Sequence, residues 1–149
     1  MRIRDFNSND FGSIESIYNL SKLDELYFEN VKYELLPLSK DKTRLSSLLE
    51  SEILVYEKDS ILGFGAYFGS EIRALFVDPV CRGQGIGSTL LNYMLGCVVH
   101  PATLYVAKTN EPAKALYSRY GFQIVDEFNT SYNGIPVLAN KMLRSGVCG

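Results

Sequence analysis

The run from Leu75 to Leu91, Leu-Phe-Val-Asp-Pro-Val-Cys-Arg-Gly-Gln-Gly-Ile-Gly-Ser-Thr-Leu-Leu, leaves this chain few ways to fold. An apolar stretch of strand length gives way to a turn, then to an arginine with glycines at 83, 85 and 87, then to an amphipathic helix. Glycines there admit positive φ and let the backbone approach a ligand closely. The helix behind them presents unpaired N–H groups and the positive end of its dipole. Together they form a phosphate cradle, and a diphosphate fits it. Two other phosphate-binding patterns fail on spacing. A P-loop needs lysine where Ser88 stands, and a dinucleotide fingerprint needs glycine near position 88 in a βαβ setting.

Composition bounds the rest. With 149 residues, 46% of them hydrophobic, the chain is expected to form one domain over 1–149 around one core. Fifteen basic against seventeen acidic residues give a net charge of −2 without a basic block, so nucleic acid is not an expected partner. Cys81, Cys97 and Cys148 are odd in number and form no C-x-x-C pair, which suggests reduced thiols in a cytoplasmic protein. A single histidine argues against a zinc site. No stretch is apolar enough to span a membrane or to serve as a signal peptide.

Periodicity gives the order of elements. Arg2 to Phe6 alternates like a half-buried strand, and Asn9 or Asp10 is placed to cap a helix carrying Phe11, Ile14, Ile17 and Tyr18 on one face. Residues 21–51 are less legible, with Leu45, Leu48 and Leu49 suggesting a second helix after Pro37. Ile53 to Glu57 and Ile61 to Phe68 predict a hairpin around Lys58-Asp59-Ser60, and Glu71 to Val77 a third antiparallel strand leading into the glycine loop. Ile86, Leu90, Leu91, Met94 and Leu95 form the apolar stripe of the following helix. A strand at Thr103 to Ala107, a short helix from Pro112 to Gly121, and strands at Phe122 to Phe128 and Ile135 to Met142 around Asn133-Gly134 close the chain.

A strand, an Arg-x-x-Gly-x-Gly loop and a helix, followed by a strand, an asparagine, a short helix with tyrosine and then Gly-Phe, resembles the GNAT superfamily of acyl-CoA-dependent N-acyltransferases. Arg82, Gly85 and Gly87 match its pyrophosphate motif, and Asn110, Ala113, Leu116, Tyr117, Gly121 and Phe122 match its second cofactor motif. The best match covers 71–124. The resemblance implies an α/β (α+β) fold, with a mixed, mostly antiparallel sheet of about six or seven strands flanked by about four helices. It implies direct acetyl transfer from acetyl-CoA to a primary amine on a small molecule or peptide, without a metal. A non-catalytic acyl-CoA sensor is the alternative. A monomer or a homodimer both agree with the sequence.

Thioester aminolysis needs a held cofactor, a polarised carbonyl, a proton donor for the thiolate and a neutral amine. Backbone N–H groups of Arg82, Gly83, Gln84, Gly85, Ile86, Gly87 and Ser88 are expected on the diphosphate, with the Arg82 side chain adding charge. By resemblance, Leu75, Phe76 and Val77 contact the pantetheine arm and thioester through backbone, from a strand that splays from its neighbour. Asn110 is expected on the pantetheine region or as a helix cap. Tyr117, protonated at neutral pH, is the expected acid for the thiolate. Glu71 is the expected base, with Arg73 on the same strand face. Acceptor specificity is assigned to residues 21–51 and the last strands, where Tyr27, Phe28, Tyr33, Tyr132 and Asn133 are expected to line a cleft.

Overall fold

A computed structural model describes residues 1–146, so Cys148 lies outside the described residues. Seven strands form one sheet: β1 (Arg2–Asp5), β2 (Glu52–Lys58), β3 (Ser60–Phe68), β4 (Glu71–Val77), β5 (Ala102–Ala107), β6 (Gln123–Tyr132) and β7 (Ile135–Arg144), in the order β1-β2-β3-β4-β5-β7-β6. All neighbours are antiparallel except β4 and β5. Four α-helices complete the fold: α1 (Phe11–Ser21), α2 (Lys42–Glu50), α3 (Ile86–Leu95) and α4 (Glu111–Arg119). The mixed, mostly antiparallel sheet and four helices agree with the expected fold class. Among the described residues no helix is long and apolar enough to cross a membrane.

Strand alternation distributes the core over both faces. Val55, Phe64 and Phe76 point to one side and bury Ile14, Ile17 and Tyr18 of α1 and Leu48 of α2. Leu54, Leu104 and Met142 point to the other and bury Leu90, Leu91 and Met94 of α3 with Phe122 behind α4. Burying each such side chain is worth roughly 1.5–3 kcal/mol, so both layers are needed for stability. β3 carries Gly63 and Gly65 where α3 crosses it. A Cβ on Gly63 would stand 2.9 Å from the Phe76 carbonyl oxygen, and one on Gly65 2.7 Å from Met94 Cε. The missing side chains let α3 lie close on the sheet, and α3 in turn fixes the glycine loop.

Two local expectations need correction. The first helix is entered through Asn7, whose side chain accepts the Asn9 N–H in a 3₁₀ turn over Ser8–Asp10. Asp10 is drawn elsewhere: its carboxylate accepts the Asn7 N–H and two bonds from Arg4, at 2.8 and 2.9 Å. The last two strands run further than apolar content suggests, because hairpin pairing continues to Tyr132↔Ile135 through the Asn133-Gly134 turn at φ 50° and 77°.

Gly63→Ala is expected to destabilise the protein by about 1–3 kcal/mol, because the blocking atom is backbone. Gly12→Ala, in α1 with nothing within 4 Å of its added Cβ, should stabilise it by up to about 1 kcal/mol. Denaturant midpoints of the two variants against the unmutated chain read both signs.

Candidate active site

β4 and β5 begin as a parallel pair and part at once. They share one register position, Glu71↔Thr103, with the Thr103 N–H on the Ser70 carbonyl at 2.9 Å. β4 then stays with β3 as far as Val77, while β5 follows β7. The strand before the glycine loop therefore splays as expected, and backbone groups on its free edge face a cleft. Two connected cavities fill that cleft. The larger, about 720 Å³, is lined by Tyr18, Glu25, Arg44, Glu71, Arg73 and Asn133 among others. The smaller, about 520 Å³, is lined by Ala107, Asn110, Ala113, Phe128 and Tyr132 among others. Leu75, Tyr105, Tyr117, Lys22, Glu25 and Arg44 belong to both.

The glycine loop is held at its entrance. The Asp78 N–H donates to the Leu62 carbonyl at 2.8 Å, and its carboxylate accepts the Val80 N–H at 3.1 Å, starting a turn over Pro79–Cys81. Gly83 and Gly85 then take φ of 81° and 79°, which favours glycine at both. Between the Arg82 N–H, on the Pro79 carbonyl, and the Thr89 N–H, on the Gly85 carbonyl, the intervening amides have no backbone partner in the surrounding turns and caps. These unpartnered amides, at the start of α3, are the ones expected from the sequence on a diphosphate. Ile86 is buried, so it can offer only its backbone, and the Arg82 guanidinium pairs with Asp24 at 2.6 Å.

β4 sorts its own residues. Leu75 lines both cavities, whereas Phe76 lines only the larger one and stacks on Phe64 on the α1 face, with ring centroids 5.5 Å apart. The Val77 carbonyl accepts the Ser21 hydroxyl at 3.2 Å. On α4, Asn110 acts as the cap, its side chain accepting the Ala113 N–H at 3.4 Å while it lines the smaller cavity. Tyr117 is half-buried, packed edge-on against Phe122 at 5.9 Å, and its hydroxyl has no hydrogen-bond partner among the described residues. Burial, reinforced by the Glu25 carboxylate, pushes its phenol well above the ordinary tyrosine value.

Glu71 lines the larger cavity with its Oε1 held by Arg73 at 2.9 Å. Arg73 also reaches Glu50 and the Ser47 carbonyl, and its bonds to Glu50 and Glu71 raise its pKa. The acceptor-side expectations divide. Tyr132 and Asn133 line the cavities, but Tyr33 is buried, donating to the Pro136 carbonyl at 2.7 Å, and Tyr27 and Phe28 are exposed, packed edge-on against each other. The wall is built instead by Tyr18, Lys22, Glu25 and Arg44. Lys22 is buried, bonded to Glu25 at 2.7 Å and lying over the rings of Tyr18 and Tyr132. In the sequence Tyr18 reads as part of the apolar face of α1, and nothing local distinguishes Lys22 and Glu25 of the 3₁₀ extension Lys22–Leu26, or Arg44 of α2, from a solvated face.

A model of the acetyltransferase (GNAT) domain matches residues 50–124. The chain belongs to the GNAT family. The matched stretch runs from the end of α2 to the start of β6 and leaves β1, α1 and the last hairpin outside. Among curated relatives, the peptidyl-lysine N-acetyltransferase YjaB of Escherichia coli K12 is 32% identical over 84 residues, 56% of each chain. The peptidyl-lysine N-acetyltransferase YiaC of the same organism is 34% identical over 95 residues, 62% of each. The matches thus span less than two thirds of these relatives. The solution structure of apo YjaB covers 98% of both chains at 25% identity with a TM-score of 0.72. A GCN5-related N-acetyltransferase from Rhodopseudomonas palustris shares the fold with a TM-score of 0.81 at 18% identity, over 97% of this chain and 94% of that one.

Gly85→Ala is expected to cost about 1–2 kcal/mol of stability, since alanine would be forced into the left-handed region. Gly87→Ala should cost less, because its Cβ would meet only Val77 Cγ2 at 3.7 Å. Urea unfolding of both variants gives the comparison.

Proposed function

We propose that this chain transfers the acetyl group of acetyl-CoA directly to a primary amine, with the lysine side chain of a peptide as the leading acceptor class. The observation that carries this reading is the parting of β4 from β5 directly before an unpartnered amide cradle, with a phenol facing the gap. Diphosphate on the amides of 83–88 would place the pantetheine arm along the free edge of β4. Leu75, Phe76 and Val77 would contact it there through their backbone, and Asn110 from the α4 side. The peptidyl-lysine activity in the names of YjaB and YiaC supports the acceptor class and weighs against a sensor without turnover. A neighbour of the same fold, yncA of Salmonella typhimurium, was solved with acetyl-CoA.

In this reading an amine enters through the larger cavity and attacks the thioester carbon where the two cavities meet. Tyr117 gives its proton to the departing sulfur. A phenol is suited to this because its proton stays on at neutral pH and the thiolate it meets is of comparable basicity. Three carboxylates of the larger cavity, Glu25, Asp41 and Glu71, are at hand for the amine proton. The free thiols Cys81 and Cys97 and the dependence on acetyl-CoA agree with a cytoplasmic setting.

The test is thiol release from acetyl-CoA with a lysine-containing peptide, a peptide with a free N-terminus, and spermidine. Tyr117→Phe should lower kcat by about 100-fold with little change in the KM for acetyl-CoA. Because Tyr117 is active when protonated and its pKa is raised, the alkaline fall in kcat should lie above the ordinary tyrosine range. Unchanged turnover in Tyr117→Phe would remove the phenol from the acid role.

A further inference from the structure

Building on the acetyl-transfer reading, we propose that Glu25, rather than Glu71, accepts the proton of the attacking amine. It stands with Tyr117 at the junction of the two cavities. Of the three carboxylates in the larger cavity only Glu25 also lines the smaller one. A thioester and an amine arriving from opposite sides meet at that shared wall, and a base must be within hydrogen-bond reach of the proton it takes.

The other two carboxylates are occupied. Asp41 caps α2 through the Arg44 N–H and pairs with the Arg44 guanidinium at 3.3 Å. Glu71 sits at the last shared position of β4 and β5, bound to an arginine that is itself tied to α2. Glu25 has one contact, from Lys22 Nζ to Oε2 at 2.7 Å, and its Oε1 has no protein partner among the described residues. Lys22 is held over Tyr18 and Tyr132 at 5.9 and 5.4 Å, which fixes the carboxylate from behind. One oxygen is therefore anchored and the other is free to receive a proton.

The step balances without a further reactant. As the amine nitrogen bonds to the carbonyl carbon, one N–H proton passes to Glu25 Oε1. The C–S bond breaks, sulfur takes the Tyr117 proton, and the proton on Glu25 returns to the phenolate through water in the cavity. Charge links the two groups. Ionised Glu25 is one of the causes that hold the Tyr117 proton in place. Once Glu25 is protonated that restraint is gone, and the phenol becomes a stronger acid when the sulfur needs its proton.

The charged and titratable groups facing Glu25 are Lys22 beside it, Tyr18 of α1, Asp41 and Arg44 by α2, Glu71 and Arg73 of β4, Tyr105 of β5, Tyr117 of α4 and Tyr132 of β6. The two carboxylates among them, Asp41 and Glu71, are each held by an arginine, Arg44 and Arg73.

The experiment measures kcat against pH with acetyl-CoA and whichever of the three amine probes above releases thiol, for the unmutated chain, Glu25→Gln, Glu25→Asp and Glu71→Gln. The expected result for Glu25→Gln is a fall in kcat of about 100-fold, loss of the acidic limb, and little change in the KM for acetyl-CoA. Glu25→Asp should restore part of the rate, and Glu71→Gln should act on the acceptor KM while the acidic limb persists. NMR titration of labelled tyrosine, assigned with Tyr117→Phe, should show the Tyr117 phenol ionising at lower pH in Glu25→Gln, whether or not the variant turns over. An acidic limb that survives Glu25→Gln, or one lost in Glu71→Gln instead, overturns the assignment and leaves the transferase reading standing. No thiol release by the unmutated chain with any probe overturns both.

Discussion

The site depends on a failure of pairing. Parallel strands joined by a right-handed crossover normally hydrogen-bond along their length, yet β4 and β5 keep one register position and separate. The reason lies on either side. β4 is held to β3 through Gly63↔Val77, and β5 is held to β7 from Ala102 to Ala107. Each strand has a full antiparallel partner and so loses little by leaving the other. The unpaired inner edges would be costly if sealed from water, so the cleft has to admit solvent or a ligand that can form strand-like bonds.

The glycine loop depends on the same geometry. β4 ends at Val77, Asp78 fastens the chain to Leu62 of β3, and the loop must then climb onto α3, which Gly63 and Gly65 allow to lie close on the sheet. The positive φ at Gly83 and Gly85 follows from making that climb in few residues. Positive φ and a row of unpartnered amides are thus two results of one backbone path.

This also explains what could be read in the sequence. Gly83, Gly85, Asn110 and Tyr117 act through backbone path, capping and a fixed helical face, all of which leave local patterns. The hairpins at Asp59 and at Asn133-Gly134 were equally legible, because positive φ restricts residue type. The wall of the larger cavity was not. Tyr18, Lys22, Glu25 and Arg44 come together only because α1, its 3₁₀ extension and α2 pack on the Phe64 and Phe76 face of the sheet. Tyr27 and Phe28 were expected in the cleft for their aromatic character, but the 3₁₀ extension ends before them and turns them to solvent. Asn7 replaced Asn9 and Asp10 as the cap because Arg4, on a neighbouring element, claims the Asp10 carboxylate.

The short stretch from Ser21 to Leu26 shows how tightly the two halves of the cleft are joined. Ser21 binds the carbonyl that ends β4, Lys22 and Glu25 face both cavities, Asp24 holds Arg82 of the glycine loop, and Leu26 packs with Tyr132 and Val137 of the last hairpin. The Asp24–Arg82 pair is half-exposed on both sides, and such pairs contribute about 0–1 kcal/mol. An anion bound at the loop would compete with Asp24 for Arg82 at that small cost. In the neighbouring Lys22–Glu25 pair the lysine is buried and lies over two aromatic rings, so that pair is harder to disturb. The segment therefore combines a yielding contact towards the glycine loop with a firmer one at the junction of the two cavities.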